Sequence, residues 1–141
     1  MKQYGKYIIG AILLLGLIAL IWYHIPVKTQ KTVMACTADG ETAEVTFDLS
    51  YERHILGEPR CKGNITVDGV IYEDMGGITG FTKEGSTFDT MHDNWVVISS
   101  LDNRYRVFCL RVIIGDETKT YYGEAQNAEE AQRVINKFFG E

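Results

Sequence analysis

The chain has 141 residues, enough for one domain, with 19 acidic and 14 basic side chains and a formal net charge of −5. Every acidic residue lies from Asp39 onward with ten of the basic ones, so the segment after residue 31 carries −9 and residues 1–31 carry +4. An acidic segment is repelled by phosphate backbones and anionic headgroups, which argues against nucleic acid as a partner.

After a short tail (1–6), residues 7–23 (YIIGAILLLGLIALIWY) contain no charged side chain. As a helix rising 1.5 Å per residue this run covers roughly 25 Å, just short of a hydrocarbon core, and the flanks supply the rest. Tyr4 and Tyr7 at one end and Trp22 and Tyr23 at the other are placed as membrane-interface aromatics. Lys2, Lys6, Lys28 and Lys31 can snorkel from the two ends. The run therefore predicts a transmembrane anchor, with the lipid bilayer as partner of residues 7–23.

Val33-x-Ala35-Cys36 has the small residues of a processing site. A secretory leader places that site directly after a shorter apolar stretch. Here Ala35 lies 12 residues beyond Tyr23, across His24, Pro26, Lys28 and Lys31, which favours an uncleaved anchor and no lipid on Cys36. Pro26 ends the helix, and residues 24–31 are expected to form a juxtamembrane linker. The short tail with Lys2 and Lys6 suits the cytoplasmic end of a signal anchor, leaving the remainder outside.

Residues 32–141 are expected to form one domain. TVMACTA (32–38) can pair with AEVTFDLSYER (43–53) through the Asp39-Gly40 turn. In the latter stretch Val45, Phe47, Leu49 and Tyr51 alternate with polar residues, the pattern of a half-buried antiparallel strand. Asp68-Gly69 between NITV and VIYED is a second hairpin turn. The glycine-rich residues 75–87 read as irregular. NWVVISS (94–100) and YRVFCLRVIIG (105–115) predict a further hairpin, and KTYYGEA (119–125) another strand. Asn127 and Glu130 form a capping arrangement and Gly140 a C-terminal stop for a helix. Its stripe, Ala131, Val134, Ile135, Phe138 and Phe139, must pack on the sheet. The fold class is α+β: six or seven antiparallel strands with one C-terminal amphipathic helix packed on them, or alternatively a small β-sandwich or partly closed barrel with the helix as a plug or lid.

Motifs that carry chemistry are sparse. Cys36, Cys61 and Cys109 are candidate disulfide cysteines if the domain lies outside, and buried apolar thiols otherwise. No C-x-x-C or H-x-x-x-H spacing occurs, so no metal ligand, cofactor or catalytic residue is assigned. His92-Asp93 lacks the further ligands of a metal-dependent phosphohydrolase, and GGITG (76–80) lacks the lysine of a phosphate-binding loop. Arg111, inside the most apolar strand, suits a structural ion pair. These features predict a single-pass membrane-anchored protein displaying a small acidic extracytoplasmic binding or accessory domain, acting through protein–protein contacts. A cell-envelope hydrolase using Asp/Glu or His92, and a cytoplasm-facing subunit of a membrane complex, are the alternatives.

Overall fold

The computed structural model describes residues 2–57, 60–78, 86–88, 94–101 and 104–140. Helix α1 (Lys2–His24) leads into β1 (Val27–Cys36), β2 (Thr42–Glu52), β3 (Arg60–Val67) and β4 (Val70–Ile78). The short β5 (Ser86–Phe88) follows, then β6 (Asn94–Ser100), β7 (Phe108–Ile114), β8 (Glu117–Gly123) and helix α2 (Ala128–Phe139). All strands join one antiparallel sheet in the order β4-β3-β2-β1-β8-β7-β6-β5. The α+β class is as expected, with seven long strands and the three-residue β5 added at one edge.

Helix α1 extends the apolar run by several residues at the N-terminus and one at the C-terminus. Its 23 residues cover about 34 Å, more than a hydrocarbon core of about 30 Å. The stretch Tyr4–His24 is long and apolar enough to cross a membrane, and none of it is buried against the protein.

The expected linker is shorter than its composition suggests. Residues 27–31 are strand, paired in register from Val27↔Tyr51 to Lys31↔Phe47, so only Ile25 and Pro26 separate α1 from β1. The cause is visible at Lys31, whose side chain points inward. Its ammonium donates to the Tyr105 carbonyl at 2.6 Å and to Glu124 Oε1 at 2.6 Å, and sits 5.8 Å from the Phe47 ring centre. A lysine with those partners continues the inward alternation that Val33 and Ala35 complete.

The core lies inside the curl of the sheet. Val45, Phe47 and Leu49 of β2 meet Ile65 of β3, Val96 and Ile98 of β6, and Phe108 and Leu110 of β7, all buried. The two edges, β4 and β5, come into contact, so the sheet largely covers its own apolar face. Helix α2 therefore has less to cover than its stripe implies. Ala131 and Val134 are buried, Ile135 and Phe138 half-buried, and Phe139 is exposed. Ala131 packs with Cys36, Ala125 and Tyr122 in a small second cluster on the outer face of β1 and β8. Its ends are as predicted: Asn127 Oδ1 accepts from the Glu130 N–H at 2.9 Å, Glu130 Oε2 accepts from the Gln126 N–H at 2.8 Å, and Gly140 is left-handed with φ 70°.

The last strand of the hairpin expected over 94–115 starts later than expected, at Phe108. Residues 105–107, expected in the strand, precede β7, and Tyr105 adopts φ 50° with its side chain buried. Its ring stacks on Phe47 with centroids 5.2 Å apart, and its hydroxyl lies 3.3 Å from Cys61 Sγ. Tyr105 thus plugs the space beside the lower half of β1, below its pairing with β8 at Ala35 and Cys36. Part of the stretch read as irregular is also regular: Met75–Ile78 completes β4 against Arg60–Gly63 of β3.

Candidate functional site

Strand directions give the domain two ends. The β1 start, the β2–β3 loop and the start of β3 lie beside α1, while the turns Asp39-Gly40, Asp68-Gly69 and Gly115-Asp116 lie at the far end.

At the far end the curl opens into a cleft of about 250 Å³. Two tight hairpins frame it. Asp68 (φ 47°) and Gly69 (φ 82°) turn β3 into β4, closing on the pair Val67↔Val70. Gly115 (φ 60°) and Asp116 turn β7 into β8, closing on Ile114↔Glu117. In the Asp68-Gly69 turn both central residues have positive φ, as an Asp-Gly hairpin supplies, whereas in the Gly115-Asp116 turn the glycine supplies it. Val67, Val70, Val112 and Ile114 form the apolar walls, with the nearly buried Tyr72 and Tyr121 between them.

The rim is polar. Asp68 Oδ1 accepts from the Glu44 N–H at 2.8 Å, which fixes its carboxylate, and Lys119 pairs with Glu41 at 2.6 Å. Burial raises the pKa of both phenols, and Glu41 adds to the effect at Tyr121. They stand in the cleft as neutral hydroxyls through the physiological range, fit to donate a hydrogen bond. An apolar slot with two phenols and a carboxylate rim is suited to hold an apolar side chain next to a cation.

The three cysteines are separate free thiols. Cys36 of β1 and Cys109 of β7 both face Tyr122 in register, one from each side of β8. Two strand spacings of about 4.8 Å hold them beyond the Cα separation a disulfide allows. Cys61 lies in the interior cluster, whereas Cys36 belongs to the outer cluster under α2. Burial raises all three thiol pKa values. Cys36 and Cys61 are buried and Cys109 is half-buried.

Tyr4, Tyr7, Trp22 and Tyr23 occupy the two ends of α1 with their rings exposed. Tyr23 also touches the domain, with the Arg53 guanidinium 5.4 Å from its ring centre. Arg111 is exposed on the outer face of β7 between Val97 and Thr120, rather than buried against an acid. His92, Asp93 and Asp89, candidates for a hydrolytic site, lie outside the described residues, as does Gly80 of the glycine stretch. Among the described residues, no cluster of three His, Cys, Asp or Glu side chains is placed to hold a metal ion.

Compared with known proteins, the chain matches no family model, no curated protein and no solved structure.

Sequence reasoning did not single out Tyr72 and Tyr121. VIYED and TKTYY each carry apolar residues on both faces of the strand, so alternation does not say which tyrosine turns inward. Their meeting across the mouth depends on the curl, which no local pattern reports.

Proposed function

We propose that this chain is a single-pass membrane protein whose domain is held against the extracytoplasmic face of the bilayer and binds a protein partner through the far mouth of its curled sheet. The observation that carries this reading is α1 itself. Its side chains from Tyr4 to Trp22 are exposed along the whole helix, and it passes into β1 through only Ile25 and Pro26. A bilayer accounts for that apolar surface, and the direct passage gives the domain a defined pose above it. Lys2 and Lys6 on the short tail support a cytoplasmic N-terminus.

In that pose the mouth containing Tyr72 and Tyr121 points away from the membrane. Exposed Val70 and Ile114 line it, together with Asp68 and Glu117. Apolar and aromatic groups inside a charged rim are the composition of a protein-contact site. The partner it fits presents an apolar side chain flanked by lysine or arginine.

The test is photo-crosslinking in cells from position 114 of the full chain. A recurring small set of protein adducts, lost when Glu117→Lys reverses the rim charge, is the expected result. Adducts that do not recur, or that persist unchanged in the charge-reversed variant, would refute the mouth as the binding surface. Proteolysis of α2 in intact cells checks the side: cleavage supports an extracytoplasmic domain, and protection relieved by permeabilisation overturns it.

A further inference from the structure

We infer that the β2–β3 loop is a second membrane-seating element, with Ile55 and Leu56 entering the same leaflet that holds the C-terminal end of α1 and with Arg53 and Arg60 at its phosphate level; this rests on α1 spanning the bilayer. Three observations converge on it.

The first is position. Pairing of Val27 with Tyr51 returns the end of β2 to the end of α1, and Arg53 stacks over Tyr23 with 5.4 Å between guanidinium and ring centre. Leu20 and His24 of the helix share one groove with His54, Ile55, Leu56 and Arg60. Leu20 lies four residues before His24, about 6 Å further along the axis toward the apolar run. The loop therefore reaches past the polar end of the helix, to a level inside residues 7–23.

The second is exposure. Leu56 is 100% exposed and Ile55 52% exposed, side by side at the tip. Nothing in the described protein covers them. Apolar side chains of interfacial elements seat about 5–10 Å into the boundary between headgroups and acyl chains, the depth that Leu20 marks along the shared groove.

The third is charge. Around this end the described residues include Lys28, Arg53, Arg60 and Lys62 against Glu52, which Lys62 approaches to 3.5 Å. The far end carries Asp39, Glu41, Glu44, Asp68, Asp116 and Glu117 against Lys119. Among the described residues the domain is therefore polarised, +3 at this end against −5 at the far mouth. Its cationic end faces the bilayer and complements anionic phospholipid headgroups, so the acidic total does not oppose membrane contact.

The experiment places a photo-crosslinking side chain singly at three exposed positions of the full chain: 14 on the helix, 56 on the loop and 114 at the far mouth. Each variant is reconstituted in vesicles of equal parts phosphatidylcholine and phosphatidylglycerol, and lipid adducts are counted by mass spectrometry. The expected yield at 56 approaches that at 14 and exceeds that at 114 by on the order of tenfold. Adducts at 14 without adducts at 56 overturn this inference and leave the spanning helix standing. Absence at both positions overturns the spanning helix and the inference with it. Equal yields at 56 and 114 also overturn it, because the domain then touches lipid without a defined seat. In vesicles of phosphatidylcholine alone the yield at 56 should fall several-fold; an unchanged yield would contradict the placement of Arg53 and Arg60 at the phosphates.

Discussion

Gly63 shows how a single position can hold the sheet together. It sits in β3 opposite Leu49 with φ 142°, beside the irregularity between Gly63 and Ile65, and a methyl group there would meet the backbone carbonyl of Asp48. Both the conformation and the space exclude a side chain. Gly63→Ala should destabilise the domain by on the order of 3 kcal/mol, read as a lowered urea midpoint of the full chain in detergent. Tyr105 separates packing from hydrogen bonding. Tyr105→Phe keeps the ring on Phe47 and removes the hydroxyl that contacts Cys61, a cost of about 1 kcal/mol, whereas Tyr105→Ala opens a cavity worth about 3–5 kcal/mol. Equal effects of the two substitutions in the same titration would refute the plug. The buried thiols and phenols set a pH limit. Raised folded-state pKa values at Cys36, Cys61, Tyr72 and Tyr121 mean that the folded protein keeps protons the unfolded chain releases. Stability from these groups is therefore fully present below the unfolded thiol pKa of about 8.5 and is lost as pH rises through the folded values. A denaturant midpoint that stays level to about pH 8.5 and then declines is expected.

At the scale of elements, α2 was legible to its ends because its signals are local. Asn127, Glu130 and Gly140 act within one turn of the residues they cap, and the structure places the helix between them. Asn127→Ala should cost about 1 kcal/mol through the lost bond to the Glu130 N–H, and α2 amides should exchange faster while those of β7 do not. Strand β6 was equally plain, since NWVVISS is bounded by turn residues. The start of β1 was not. Lys28 and Lys31 give residues 24–31 the composition of a tether, and only the Tyr105 carbonyl and Glu124 make an inward Lys31 tolerable. Both partners lie more than seventy positions away along the chain. The cleft was hidden for the same reason. Val67, Tyr72, Val112 and Tyr121 come from four strands, and the space between them exists because an eight-stranded sheet curls until its edges touch. Twist accumulates over strands, and no short stretch encodes its sum.

For the molecule as a whole, the short passage from α1 to β1 sets how its two ends are used. With Ile25 and Pro26 alone between helix and sheet, and Arg53 stacked on Tyr23, the domain has little freedom to rotate about the anchor. A flexible tether of even eight residues would instead let it sample roughly 15 Å in any direction. In the proposed arrangement that restriction keeps the cationic end on the bilayer and the acidic mouth with Tyr72 and Tyr121 presented to a partner. Insertion of Gly-Ser-Gly-Ser between Pro26 and Val27 separates the contributions. The inserted residues lie before the first paired position, so the register of β1 with β2 and the core around Phe47 are untouched. The urea midpoint should therefore stay within about 0.5 kcal/mol of the parent, as for substitutions remote from packed features. Lipid adducts from position 56 should drop several-fold, because the short junction no longer sets the depth of the loop. Protein adducts from position 114 should survive if the mouth recognises its partner by itself, and should disappear if recognition also requires a fixed height above the membrane. A parent-like adduct yield at position 56 would show that the loop finds the bilayer unaided, and would assign the seating to its own Ile55 and Leu56 rather than to the rigid junction.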